Sequence, residues 1–192
     1  MKNFCSIALN HSIPQSSRLL FLDTETTGLM SQDGHRVVEI AIIEYIESKQ
    51  IGRVFHSYLN PQRDIDSVAE EVHGLTLDFL SSKPKFEDVA DDIVQFITGS
   101  VLVIHNAPFD LSFLDTELKR VGKRSVNDLS YKVIDSLILA KSLRPGKKNS
   151  LDALCLEYGV DISRRTLHSA LLDAELLAEV FFKMSQSYAV NQ

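Results

Sequence analysis

The sequence predicts an α/β layered fold, with a mixed central sheet that starts as three antiparallel strands and is flanked by helices. Three observations carry this expectation. The chain opens with strand-like runs, beginning with the continuous apolar stretch Arg18-Leu-Leu-Phe-Leu-Asp23. From Phe86 onward apolar residues recur at helical spacing, with short buried runs such as Val101-Leu-Val-Ile104 between them. No repeat or low-complexity tract interrupts the 192 residues, a length that suits one domain.

The elements follow in order. Arg36 to Ile46 is rich in β-branched residues and reads as a second strand. After Gly52, Val54 to Leu59 alternates like a hairpin partner, and Asn60-Pro61 ends it. Phe86, Val89, Ala90, Ile93, Val94 and Ile97 mark a helix with Gly99 as its stop. Leu111, Leu114, Leu118 and Val121 mark another, closed by Gly122. Tyr131 to Asp135 reads as a last strand running into a helix from Ser136 to Leu143. Asn149 or Ser150 can cap the helix Leu151 to Tyr158, and Gly159 ends it. A final helix is expected from about Ala170 to Met184.

Composition narrows the function classes. Apolar content of 44% and charged content of 24% are those of a soluble globular protein. No apolar run approaches the ~20 residues that span a bilayer, so no membrane partner is expected. Met1 to Ser17 lacks signal-peptide character, and the cytoplasm is the expected location. Cys5 and Cys155 are too few for a disulfide framework or zinc site, and Cys155 reads as a packed core thiol. A net charge of −6 argues against gripping duplex DNA by counterion release. It is compatible with an enzyme that holds phosphates through metal ions.

Three constellations carry chemistry. In Asp23-Thr-Glu25-Thr-Thr-Gly28, strand alternation puts Asp23 and Glu25 on one face, where they repel unless a cation lies between them. Thr26, Thr27 and Gly28 add hydroxyls and a backbone that permits close approach. His105-Asn106-Ala-Pro-Phe109-Asp110 follows a strand end, where α/β sheets bind ligands. Read alone, Asp110 is simply a helix-start acid favoured by the dipole. His168-Ser-Ala-Leu-Leu-Asp173 spans five residues, ~500° of helix, so the two side chains would stand ~140° apart. The pair converges only if Asp173 is helical and His168 hangs from the preceding loop. Carboxylates without a cysteine or histidine cluster prefer Mg²⁺ or Mn²⁺. Two such ions can clamp the attacking and leaving oxygens of a phosphodiester, and a neutral histidine can take the proton of the attacking water.

These motifs resemble the DEDDh group of 3′→5′ exonucleases, most closely the proofreading epsilon subunits of bacterial DNA polymerase III. Val72-His-Gly-Leu75, Lys132-Val-Ile-Asp-Ser136, Pro145 to Leu154 and Arg165-Thr-Leu-His168 extend the likeness from about Arg18 to Met184. The resemblance implies a ribonuclease H-like exonuclease fold with residues 18–184 as the exonuclease domain. Residues 1–17 would be a flexible extension and 185–192 a short tail. It implies two divalent cations, Mg²⁺ or Mn²⁺, on Asp23, Glu25, Asp110 and Asp173, with His168 as general base. Asp23, Glu25, Thr26, Thr27, Gly28, Leu29, His73, Asn106 and Asp173 would contact the terminal nucleotide, with Phe109 packed beneath. The substrate implied is a single-stranded or frayed 3′ end of DNA, the product a nucleoside 5′-monophosphate. The partners implied are the polymerase's alpha and theta subunits.

The likeness has departures. Ser169 stands where the third motif usually has glycine, and Val68 where epsilon proteins often carry a glutamate. The chain stops soon after its last helix, and Gln186 to Val190 is a poor clamp motif. Either a trimmed catalytic domain or a free-standing relative acting on RNA or in repair fits that ending. Lys147-Lys148 and Arg164-Arg165 could steer a backbone, although such pairs are usually plain surface. His11, His35 and His56 have no partners in spacing and read as exposed or strand-side.

Overall fold

The apolar run at Leu19 becomes the middle strand of the sheet in the computed structural model, which describes residues 18–46, 49–163 and 165–190. The expectations for residues 1–17 with Cys5 and His11, and for Arg164, concern residues outside these, as do the side chains of 187–190 in the clamp-like stretch. Strand β1 (Leu19–Thr26) pairs antiparallel with β2 (Val37–Ile46), and β2 pairs antiparallel with β3 (Lys49–Tyr58). On its other side β1 runs parallel to β4 (Val101–Ile104), which runs parallel to β5 (Lys132–Asp135). The order β3-β2-β1-β4-β5 makes a mixed five-stranded sheet with the expected antiparallel start. Leu19–Leu22 and β4 are buried throughout, which is why they read as continuous apolar runs instead of alternating.

Eight α-helices are described: α1 (Ser67–His73), α2 (Leu77–Ser81), α3 (Phe86–Ile97), α4 (Ala107–Arg120), α5 (Val126–Leu129), α6 (Ser136–Leu143), α7 (Leu151–Glu157) and α8 (Ala170–Val190). They sandwich the sheet. Leu20, Leu22, Ile40 and Ile42 face one core with α3, α4 and α5. Leu19, Phe21, Val101 and Val103 face the other, with α6, α7 and α8. There Phe21 meets the rings of Phe181 and Phe182 edge-on, at centroid distances of 5.6 and 5.4 Å. Cys155 is a buried thiol in that layer, its pKa pushed up to about 11 chiefly by burial. Among the described residues no helix is long and apolar enough to cross a membrane.

The helices α1, α2 and α5 have no counterpart in the sequence reading. Each has four to seven residues, too few to display an apolar stripe. Thr76 and Ser125 start α2 and α5 by accepting from Phe79 N and Asp128 N. The last helix also runs past Met184 to Val190. Ser185, a weak helix former, is buried there and returns its hydroxyl to Phe181 O at 2.7 Å.

Candidate active site

The two faces of β1 reach different helices, and the site forms where both sets of side chains meet acids. Leu19 and Phe21 face the α6–α8 layer, so Asp23 and Glu25, next in that series, point the same way. Leu20 and Leu22 face α4, and Thr24 continues that series by donating its hydroxyl to Asp110 Oδ1 at 2.8 Å. β4 ends at Ile104 alongside Leu22, so the start of α4 lies at the edge where the β1 acids emerge. Asp110 and Asp173 each sit in the first turn of a helix, both only 3% exposed. A cavity of about 620 Å³ is lined by Asp23, Glu25, Asp110, Asp173, His168 and Asn106. Lys141, Lys147 and Asn149 form part of its wall.

The acids oppose one another. Burial, then repulsion from Asp110 and Glu25, hold the Asp23 carboxyl well above the usual range. Burial, then Asp173 and Glu39, push Glu25 up to about 8. Asp110 rises to about 7 because burial outweighs its bond from Thr24. Asp173 goes the other way: burial alone would raise it, but hydrogen bonds from His168 and Arg165 take it below the ordinary value. Three of the four acids therefore resist ionisation on the chain's own groups, and added positive charge would relieve them.

His168 stands two residues before α8, off the helix, as its spacing to Asp173 requires. Its backbone N–H donates to Val72 O at 3.1 Å, and its side chain remains 46% exposed. Nδ1 lies 3.2 Å from Asp173 Oδ2 and 2.9 Å from Arg165 Nη2. Glu25, His168 and Asp173 each offer a ligand atom, all within 4.8 Å of one another.

The sequence matches the Exonuclease family (RNase_T) over residues 20–181. It is 48% identical to the DNA polymerase III subunit epsilon of Rickettsia felis, over 88% of this chain and 75% of that protein. The identity to the same subunit of Escherichia coli K12 is 46%, over 88% and 72%. The chain belongs to the exonuclease family. Within it, the chain is a 3′→5′ exonuclease of the DNA polymerase III epsilon type. A solved structure of Exonuclease X in complex with 5′ overhanging duplex DNA superposes with a TM-score of 0.66 at 28% identity, covering 88% of this chain and 92% of that one.

Several of the residues expected at the nucleotide also make contacts within the protein. Thr26, Thr27, Gly28, Leu29 and His73 are not among the residues lining the acid cavity. Thr26 Oγ1 donates to Gly28 O at 2.7 Å, and Thr27 Oγ1 lies 3.0 Å from His35 Nδ1. His35, read as unpartnered, is packed so tightly on Gly28 that a Cβ there would meet its ring at 2.3 Å. The glycine therefore leaves room for the protein's own histidine. His73 uses both ring nitrogens internally, on Thr26 O at 3.3 Å and Leu75 N at 2.9 Å. Phe109 lines the cavity while stacking on Phe113 at 5.1 Å. Val68 is exposed, outside the cavity lining.

Arg165 is not the plain surface residue that such basic pairs usually give: its side chain is buried and lines the cavity. Its guanidinium forks onto Asp173 at 2.6 and 2.7 Å and also bonds Asp152. Lys147 does line the cavity. Glu39 was missed altogether: it is 1% exposed in β2 and sits directly opposite Glu25. Its signal in the sequence was an acid inside the otherwise apolar run Val37 to Ile43.

Proposed function

We propose that this exonuclease removes nucleotides singly from single-stranded or frayed 3′ ends of DNA, with Asp23, Glu25, Asp110 and Asp173 holding two divalent cations and His168 acting as base. The observation that carries the reading is the convergence of four acids from β1, α4 and α8 on one cavity, three of them held above their usual pKa. An all-oxygen acidic set fits Mg²⁺ or Mn²⁺. When bound, such ions supply Lewis-acid stabilisation of the charge that builds on a phosphodiester under attack. The chain's own part is positional. Asp173 can accept the Nδ1 proton of His168, which leaves Nε2 bare to take a proton from the attacking water. That tautomer requires Nδ1 to donate to Asp173 instead of accepting from Arg165. Asn106, which lines the cavity, would contact the terminal nucleotide together with Thr26, Thr27, Gly28, Leu29 and His73.

The cell context proposed is the cytoplasm, with the alpha and theta subunits of DNA polymerase III as partners; identity to epsilon subunits over most of the chain supports this. The test supplies Mg²⁺ or Mn²⁺ and matched DNA and RNA oligonucleotides labelled at the 5′ end. The expected outcome is stepwise loss of single nucleotides from DNA, abolished by a chelator, with nucleoside 5′-monophosphates released. A strong preference for RNA would overturn the DNA assignment. Asp23→Ala is predicted to abolish turnover and weaken cation binding. His168→Ala is predicted to spare cation binding while slowing hydrolysis by ~10²–10⁴-fold. A near-normal rate in the His168 variant would remove it as the base.

A further inference from the structure

We infer that Glu39 and Ser169 latch the loop that carries His168 to the sheet, making both positioning residues for the exonuclease reaction; this rests on His168 acting as its base. Glu39 faces Glu25 across the β1–β2 pair, so both side chains stand on the face that meets α8. Ser169 Oγ donates to Glu39 Oε1 at 3.1 Å, and Ala170 N donates to Oε2 at 3.1 Å. His56 of β3 places Nε2 2.8 Å from Oε1. Ser169 directly follows the base, and Ala170 opens the helix that carries Asp173 three residues on. One carboxylate thus ties down the junction between the proposed base and a proposed ligand. The surface beneath allows close approach, because Ala170 and Ala174 pack on Ala41 and Ile43.

Position separates a latch from a fifth metal ligand. Asp23, Glu25, Asp110 and Asp173 all line the acid cavity, even where Asp110 and Asp173 also hold hydrogen bonds. Glu39 is committed to a hydroxyl, a ring nitrogen and a helix-start amide, where negative charge is favoured by the dipole. It also lies outside the residues that line the cavity. The loop has a second tether at His168 N to Val72 O, on α1. With both in place, His168 is held from the sheet on one side and from α1 on the other.

The experiment compares the unaltered chain with Ser169→Ala, Glu39→Gln and Glu39→Ala. It measures Mn²⁺ affinity by calorimetry, amide hydrogen exchange across residues 165–174, and single-turnover hydrolysis of a DNA oligonucleotide. Exchange at Ala170 and its neighbours should quicken in all three variants, while Mn²⁺ affinity stays unchanged for Ser169→Ala and shifts only slightly for the two Glu39 variants, which lose a charge near Glu25. Hydrolysis should slow a few-fold for Ser169→Ala and on the order of 10- to 100-fold for Glu39→Ala, with Glu39→Gln between them. In a His168→Ala background, Ser169→Ala should cost nothing further. A marked fall in Mn²⁺ affinity for Glu39→Gln would overturn the latch in favour of a ligand. Unchanged exchange, or losses that multiply in the His168→Ala background, would overturn it as well. If His168→Ala alone keeps the full rate, the base assignment has failed, and with it the latch's part in catalysis. The exchange data then speak only to the tether itself.

Discussion

Glu25 and Asp110 are acids whose burial has a measurable consequence at the residue scale. Their folded pKa values, about 8 and about 7, lie above ordinary values of 4.5 and 3.8. The native state therefore keeps protons that the unfolded chain releases. Their contribution to stability is greatest below about pH 4 and is lost as pH rises towards 8. Asp173, with a lowered pKa, has the opposite sign, but its effect falls below pH 4, outside that window. A chelator-treated sample is predicted to lose Tm steadily from pH 5.5 to 8.5, and Mn²⁺ should flatten the slope. A chelator-treated Tm that rises through neutrality would contradict the electrostatics of the cluster. The four motif acids were legible because each sits in a short pattern with its neighbours. Arg165 and Glu39 were not. Glu39 meets Ser169 across 130 residues, and Arg165 reads as surface until Asp173 folds beside it.

The same division appears at the scale of elements. Helices α3 and α4 were legible through their apolar stripes, whereas α1, α2 and α5 form at caps, glycines and local contacts. Asp135 shows what a cap can do beyond one helix. Its Oδ1 accepts from Leu137 N at 2.8 Å and Ile138 N at 3.3 Å at the start of α6. It also accepts from Asn106 N at 3.3 Å, steadying a residue in left-handed backbone at φ 65°. Asp135→Ala is predicted to cost about 0.5–2 kcal/mol in urea denaturation, with Asp135→Asn retaining part of it. No change in midpoint would mean that solvent replaces the cap fully.

Across the whole molecule, one ion pair joins the antiparallel half of the sheet to α4. Arg36, just before β2, forks onto Glu117, donating from Nη2 to Oε2 at 2.8 Å, and the Glu117 side chain is only 2% exposed. Arg36→Ala strands that charge and is predicted to cost about 3–5 kcal/mol by denaturant titration. A double change to apolar residues of similar volume should cost far less. The sequence indicated a meander followed by alternating elements, but not that β4 would return beside β1. That pairing is decided by which apolar faces fit, a property of the assembled sheet. The active site depends on the return. Its acids are spread from Asp23 in the first strand to Asp173 in the last helix. During synthesis the set proposed to hold the cations is complete only once Asp173 has been added, so every shorter length of chain is expected to lack the nuclease activity.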